Sequence, residues 1–239
     1  MEVQSTFERY EKKFLLTQVQ YERILPLLKK EMAEDCYGSY TVCNIYFDTD
    51  FYDLIRASLD KPNYKEKFRL RSYGVPGGGG LVFAEIKKKY DGIVYKRRVG
   101  ASPVQIQAFL KEGERLSENL QIQREIQWFL GFYRPKPKVF IGYDRIALAG
   151  KEDKGIRITF DFRIRWRMDR LTLQSGDEGE PVLNGDEIVM EVKTPGAIPL
   201  WLADALNKYE IYPSGFSKFG VCYQRHIAAS LFQGGYKIC

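Results

Sequence analysis

Histidine is almost absent from this 239-residue chain: His226 is the only one. A Ser-His-Asp or Cys-His catalyst would have to be built on that residue, which sits in an apolar-rich stretch near the C-terminus, so imidazole catalysis is close to excluded. The four cysteines (Cys36, Cys43, Cys222 and Cys239) form no CxxC pair, and with one imidazole they do not make a structural zinc site. No apolar run approaches the roughly 18 residues of a membrane helix, and the acidic start Met1-Glu2 does not read as a signal peptide. A cytoplasmic protein with no membrane segment of its own is expected. Glycine and proline are too few, and apolar residues too many at 44%, for a disordered or fibrous chain. The one glycine run, 77–80, lacks the Lys-Ser/Thr ending and the following helix of a P-loop and reads as a hairpin loop.

What the chain has is alternating charge. In 7–15, Arg9, Glu11 and Lys13 share one face of an extended strand, because side chains alternate along it. In 64–73, Lys65, Lys67, Arg69 and Arg71 share a face opposite Phe68 and Leu70. In 81–89, Glu85, Lys87 and Lys89 lie across from Val82, Ala84 and Ile86. After the Asp91-Gly92 turn, 94–99 sets Lys96 and Arg98 on one side. Strand patterns continue at 41–47, at 139–148 with Tyr143 and Arg145, and at 188–194 with Glu191 and Lys193. In 156–168, Arg157, Thr159, Asp161, Arg163, Arg165 and Arg167 face one way. That makes about eight strands. Helices are fewer: Thr17 caps a segment that Pro26 bends or restarts, Ser102-Pro103 opens a second, Ser117 caps a third, and 198–209 is a fourth. No linker or repeat stands out, so 1–239 reads as a single domain.

A sheet with one solvated face is the ordinary meaning of such alternation. Here the faces carry cations far more often than carboxylates, and like charges opposite one another on neighbouring strands repel. The fold class expected is α+β: a closed antiparallel eight-stranded β-barrel with a cationic lumen and helices packed outside. Lysines and arginines converging from many strands suit a chain of phosphates, arginine giving paired contacts and lysine point charges. Carboxylates among them suit a hard divalent ion, Mn²⁺ or Mg²⁺, shared with phosphate oxygens. Phosphoryl transfer runs on positioning and charge neutralisation and needs no imidazole.

Nine motifs then occur in order: Arg9-Tyr10-Glu11-Lys12-Lys13-Phe14, Tyr46-Phe47-Asp48-Thr49, Phe68-Arg69-Leu70-Arg71-Ser72-Tyr73-Gly74, Glu85-Ile86-Lys87, Lys96-Arg97-Arg98, Tyr143-Asp144-Arg145, Arg157-Ile158-Thr159-Phe160-Asp161, Glu191-Val192-Lys193 and Phe216-Ser217-Lys218-Phe219. With them the chain resembles the catalytic domain of the VTC (vacuolar transporter chaperone) polyphosphate polymerases, a branch of the CYTH-like triphosphate tunnel metalloenzyme superfamily. The resemblance implies an ATP-binding, manganese-type transferase that extends inorganic polyphosphate by phosphoryl transfer. It assigns catalytic roles to Lys13, Arg69, Arg71, Lys87, Arg145 and Lys218, and phosphate contacts to Lys96, Arg98 and Arg157; the charged faces add Arg9, Lys89 and Lys193. Glu191 is the implied metal ligand, with Glu85 and Glu11 as further candidates, although Glu85 also suits orienting Lys87. The superfamily's ExExK strand appears as Arg9, Glu11 and Lys13, with arginine at its first carboxylate. Near Ser58 one phosphate contact is missing or comes from Lys61 or Lys65.

Two other readings use the same residues: a metal-dependent inorganic or nucleoside triphosphatase with water as acceptor, and a non-catalytic polyphosphate-binding subunit. Nucleic-acid binding is not expected, since no RNP-like or helix-turn-helix pattern occurs. Membrane targeting or product translocation would fall to a membrane-protein partner.

Overall fold

A computed structural model of the chain describes residues 10–91, 93–116 and 120–229. The strands are β1 (Tyr10–Leu16), β2 (Met32–Asp48), β3 (Tyr64–Tyr73), β4 (Val82–Tyr90), β5 (Ile93–Ala101), β6 (Lys136–Gly150), β7 (Arg157–Arg167), β8 (Glu180–Pro181) and β9 (Ile188–Thr194). The helices are α1 (Gln18–Glu31), α2 (Asp53–Leu59), α3 (Pro103–Glu112), α4 (Leu120–Tyr133), α5 (Leu200–Lys208) and α6 (Lys218–Cys222), the last continued by a π-helical turn, Tyr223–Ile227. The eight expected strands are all present because each puts an apolar side chain at every second position. The additions are a longer β2 and the two-residue β8.

Helix starts follow their caps. The Thr17 hydroxyl accepts the Gln20 N–H at 3.2 Å while the Gln20 side chain accepts the Thr17 N–H at 3.0 Å, and Ser102 and Gln105 repeat this box at α3. α1 runs from Gln18 to Glu31 through Pro26 without a restart. The missing N–H costs one bond, but buried Ile24 and Leu28 on either side keep the turn packed. Ser117 and Arg9, named above, lie outside the described residues.

Strand pairing follows the order β1-β9-β7-β6-β2-β3-β4-β5, with β8 on β7. The α+β class and antiparallel pairing stand, but the expected closed barrel does not: among the described residues β1 and β5 end the path and no pairing joins them. Both edges are protected in other ways. Ser214 N–H donates to the Lys13 carbonyl at 2.6 Å, and Phe14 bridges Pro213, while β5 carries Lys96, Arg97 and Arg98 in succession, the charge that discourages edge pairing.

The described chain forms two compact units. The first comprises 10–40, 143–164 and 183–217, and the second 41–142, 165–182 and 218–229. The first buries Phe14, Ile24, Leu28, Phe160, Met190 and Leu202 in one core. In the second, Phe68, Ile86, Ile106, Ile126, Phe129 and Phe140 pack the sheet against α3 and α4.

The strict alternation expected over 156–168 breaks at Arg163, whose φ of 45° lies in the left-handed region that arginine rarely adopts. Beyond it, Arg167 is buried, lies 3.7 Å from the Phe140 ring centre and donates to the Gly176 and Glu178 carbonyls. Arg165 binds Asp177. These two arginines therefore secure the 169–182 loop and do not continue the row begun by Arg157.

Phe68 is fully buried between Phe47 and Phe129, with ring centroids 5.1 and 5.8 Å away. Phe68→Ala should cost about 3–5 kcal/mol, read as a lower midpoint of urea unfolding; an unchanged midpoint would remove this core from the account.

Candidate functional site

In the second unit the register of β3, β4 and β5 stacks cations in rows. Lys65 is opposite Lys89; Lys67 is opposite Lys87, which is opposite Lys96; Arg69 is opposite Glu85, which is opposite Arg98. Same-face neighbours across an antiparallel pair stand about 5 Å apart, so like charges there raise the energy of the empty face. Glu85 is the counter-ion. Only 2% of its surface is exposed, and four cations surround it: Arg69 at 2.7 Å, Lys96 at 3.0 Å, Arg71 at 3.8 Å and Arg98 at 3.9 Å. Burial alone would raise its pKa, but Arg69, Arg71 and Lys96 pull it down to about 2. A carboxylate so enclosed presents positive charge to its surroundings, which disfavours a divalent ion at Glu85. The metal candidate of the sequence reading is here a counter-ion.

β2 holds the two arginines in place. Asn44 Oδ1 accepts from Arg71 Nε at 2.9 Å, while Asn44 Nδ2 donates to the Ile141 carbonyl at 2.9 Å. Tyr46 Oη accepts from Arg69 Nη1 at 3.0 Å, and the Tyr46 ring stacks on Phe219 at 5.0 Å. Burial favours the neutral phenol, yet Arg69, Arg71 and Lys218 together bring its pKa below the ordinary value. Lys218, the first residue of α6, is buried within electrostatic reach of this phenol. The sequence reading gave Asn44 and Tyr46 no role, although they share the face of β2 opposite Cys43, Ile45 and Phe47, because it followed charged side chains and these two are uncharged. Lys87 is exposed and Lys89 half-buried.

Lys96 is the responsive member of this group. Burial pushes its pKa down to about 8, with Arg69 and Arg71 acting in the same direction against the attraction of Glu85.

The first unit carries a different pattern. β1 and β9 pair Glu11 with Lys193 and Lys13 with Glu191, and β7 adds Arg157 opposite Lys193 and Thr159 opposite Glu191. Signs therefore alternate. Lys13 Nζ lies 3.7 Å from Glu11 and 3.6 Å from Glu191; Lys193 Nζ lies 3.9 and 3.8 Å from the same two. Arg145 is held by Asp161 through two bonds, at 2.6 and 2.8 Å, with Glu191 at 3.9 Å. Arg157 is exposed and pairs with Asp35 at 3.4 Å. Thr159 Oγ1 is buried without a hydrogen-bond partner, which is unusual for a hydroxyl. The oxygen donors Glu191, Glu11 and Thr159 fit a hard divalent ion. No group of three or more acidic, cysteine or histidine side chains is placed to hold a metal ion among the described residues. Such an ion would thus take its other positions from water and phosphate, as Mg²⁺ commonly does.

The residues outside these clusters have structural surroundings. His226 stacks on Trp166 at 4.9 Å and meets the Val182 carbonyl at 3.1 Å. Tyr143 is buried under the Arg145 guanidinium. No helix among the described residues is long and apolar enough to cross a membrane.

An antiparallel α+β chain with a cation-rich sheet face and a second, mixed-charge cluster is thereby defined. A model of the VTC domain matches residues 8–227, and the chain belongs to that family, as its motifs led one to expect. The fold is shared with solved structures. A candidate adenylate cyclase from Bacillus halodurans superposes with a TM-score of 0.55 at 13% identity, covering 90% of this chain and 95% of that one. A candidate adenylyl cyclase from Hippeastrum, with a dominant triphosphatase activity, gives a TM-score of 0.52 at 16% identity, covering 91% and 96%. At these identities the likeness is one of fold. No curated protein matches the chain in sequence.

Because an anion favours charged Lys96, binding above pH 8 requires proton uptake and weakens as pH rises. Tripolyphosphate affinity measured by calorimetry should fall up to about tenfold between pH 7 and pH 9, and Lys96→Arg, charged throughout, should flatten the profile. An equal slope in the variant would place the titration elsewhere.

Proposed function

We propose that this VTC-domain chain is a polyphosphate polymerase of the polyphosphate kinase type, transferring the γ-phosphate of ATP onto a growing polyphosphate with Mn²⁺ or Mg²⁺. The observation that carries the reading is the stacking of lysine on lysine across β3, β4 and β5, with Glu85 as the counter-ion of the neighbouring row. A fold tolerates such a face when an anion of repeating charge occupies it.

In this reading residues 1–239 act as one tunnel-type domain. Arg69 and Arg71, fixed by Tyr46 and Asn44, hold phosphate oxygens in place. Lys87 and Lys218 add charge in the same unit, and Lys13 and Arg145 in the other. Lys89, Lys96, Arg98, Arg157 and Lys193 make further phosphate contacts, and Arg9 belongs with them on sequence grounds. A divalent ion held by Glu191 with Glu11 beside it would neutralise charge on the phosphates. The terminal oxygen of the polymer attacks the γ-phosphorus, a P–O bond forms, the bond to the β,γ-bridging oxygen breaks, and ADP leaves. No protein nucleophile takes part. The proposed location is cytoplasmic, with targeting left to a membrane-protein partner and no role for nucleic acid.

A metal-dependent triphosphatase is the second reading, favoured by the triphosphatase activity of the Hippeastrum protein of the same fold. Purified protein with ATP and Mn²⁺ separates them: a ladder on a phosphate-stained gel supports the polymerase, and free phosphate alone the triphosphatase. Glu191→Gln should abolish turnover, by at least about 10²-fold, while a non-hydrolysable ATP analogue still binds. Retained turnover would remove Glu191 from the metal site.

A further inference from the structure

On β3, β4 and β5 the side opposite the cations ends in exposed rings, because side chains alternate along each strand. Tyr64 stands opposite Tyr90 and Tyr90 opposite Ile93; in the next row Glu66 is opposite Lys88 and Lys88 opposite Tyr95. Tyr64, Tyr90, Ile93 and Tyr95 are all exposed, with the Tyr64 and Tyr90 ring centroids 6.4 Å apart. α4 extends the group. Trp128 and Phe132, one helical turn apart on its outer face, are 54% and 65% exposed, and their rings stack at 5.0 Å with 10° between planes. Lys88 Nζ, 6.0 Å from the Trp128 ring centre, joins the helical pair to the strand rows. Gly131 lies on the same exposed helix face. A side chain there would meet nothing within 4 Å, and glycine is a poor helix former, so no contact among the described residues accounts for it.

Area and charge decide what covers this face. Six side chains of roughly 200 Å² each, about half exposed, present about 600 Å², at the top of the range for the largest apolar patch of an ordinary monomer. A stable interface takes about 800 Å² from each partner, which these rings reach with a modest rim. The charges beneath them are already paired: Lys88 lies 3.5 Å from Glu66 and 3.8 Å from Glu125, and Arg97 Nε lies 3.8 Å from Glu125. Arg124 on the outer helix face and Asp91 at the β4–β5 turn are of opposite sign and both exposed. The patch thus lacks the surplus of cations that an anionic bilayer or an acidic partner requires. In a chain of net charge +6, a near-neutral aromatic face is also where two copies meet with least repulsion.

We propose that Trp128, Phe132, Tyr64, Tyr90, Tyr95 and Ile93 form a self-association surface through which a second copy of this chain docks as a two-fold dimer. In such an interface the same patch is used on both copies, so each ring is buried twice. Tryptophan and tyrosine are the side chains that carry most energy at such contacts, and Gly131 lets a partner side chain approach the α4 backbone beside Trp128. The dimer leaves the cationic side of these strands open on both copies, and it does not depend on what that side binds.

Sedimentation velocity of the whole chain from about 1 to 100 µM brackets the micromolar affinity that interfaces of this size reach at their weakest. Wild-type protein should sediment as a dimer. Trp128→Gln/Phe132→Gln, which alters exposed rings only, should keep the wild-type far-ultraviolet circular dichroism and dimerise at least about thirtyfold more weakly. Ile93→Gln/Tyr95→Gln, made on the sheet and not on the helix, should weaken the dimer as well. Wild-type protein that stays monomeric over the whole range would overturn the proposal, as would a dimer that neither pair of substitutions weakens. Vesicles of phosphatidylcholine and phosphatidylserine test the other occupant: monomeric wild-type protein that pellets with them, and a Trp128→Gln/Phe132→Gln variant that does not, would overturn the dimer and give the face to a bilayer.

Discussion

The sheet face of the second unit depends on one buried carboxylate. Arg69, Arg71, Lys96 and Arg98 come from two strands and point at Glu85, and without it four cations would crowd a space in which each repels the others. The arrangement is stable in the absence of ligand because the carboxylate is held ionised, its pKa drawn down to about 2. The same carboxylate does not neutralise the face. Net positive charge remains, and it is partly desolvated, which strengthens its pull on an anion arriving from solvent. One residue thereby sets both the stability of the empty face and the strength of its demand for phosphate.

The mixed cluster of the first unit works by another principle. Its alternating signs form a closed set: two glutamates share two lysines, and Asp161 occupies the fork of Arg145. The lysine contacts, at 3.6 to 3.9 Å, are loose beside the Arg145–Asp161 pair. A divalent ion that approached Glu191 and Glu11 would displace weak ammonium contacts, whereas displacing Asp161 from Arg145 would break two short charge-assisted bonds. Arg145 is therefore better suited to orienting Glu191 than to gripping a phosphate with both arms. The orphaned hydroxyl of Thr159, opposite Glu191, belongs to the same environment.

Much of this was legible in the sequence where period-two alternation carried it. The eight long strands, the capping boxes at Thr17 and Ser102, and the convergence of Lys67, Arg69, Lys87, Lys96 and Arg98 on one face all follow from side-chain parity. What was not legible lay where parity fails or is hidden. Asn44 and Tyr46 are uncharged, so a reading that follows charge passes over them although they share one face of β2. The left-handed turn at Arg163 has no glycine to announce it, so Arg165 and Arg167 were grouped with the wrong row. Glu66 and Lys88 fall on the helix-facing side of the same strands, where Lys88 lies 3.5 Å from Glu66 and 3.8 Å from Glu125 of α4. That polar contact fixes a helix against the sheet and has no counterpart in an apolar-in, polar-out pattern. Closure of the barrel is a long-range property of the two edge strands, and no local pattern specifies it.

The two kinds of cation are also distributed by function. Arg69 is fully specified before any ligand arrives: Nε and Nη2 engage Glu85 and Nη1 engages Tyr46. Arg71 is fixed through Nε by Asn44, itself tied to the Ile141 carbonyl. Planar guanidinium groups held in this way present defined directions, which is what in-line displacement at one phosphorus needs. The lysines at 65, 67, 87 and 89 are compact charges on flexible stems and donate to oxygen in any direction. On the proposed reading, rigidity belongs where a single phosphate must be aligned, and adaptability belongs where successive phosphates pass. A face made of arginine throughout would hold a polymer in one register; a face made of lysine throughout would align nothing. The order along β3, lysines at 65 and 67 followed by arginines at 69 and 71, is the order that a moving chain and a fixed reacting centre together require.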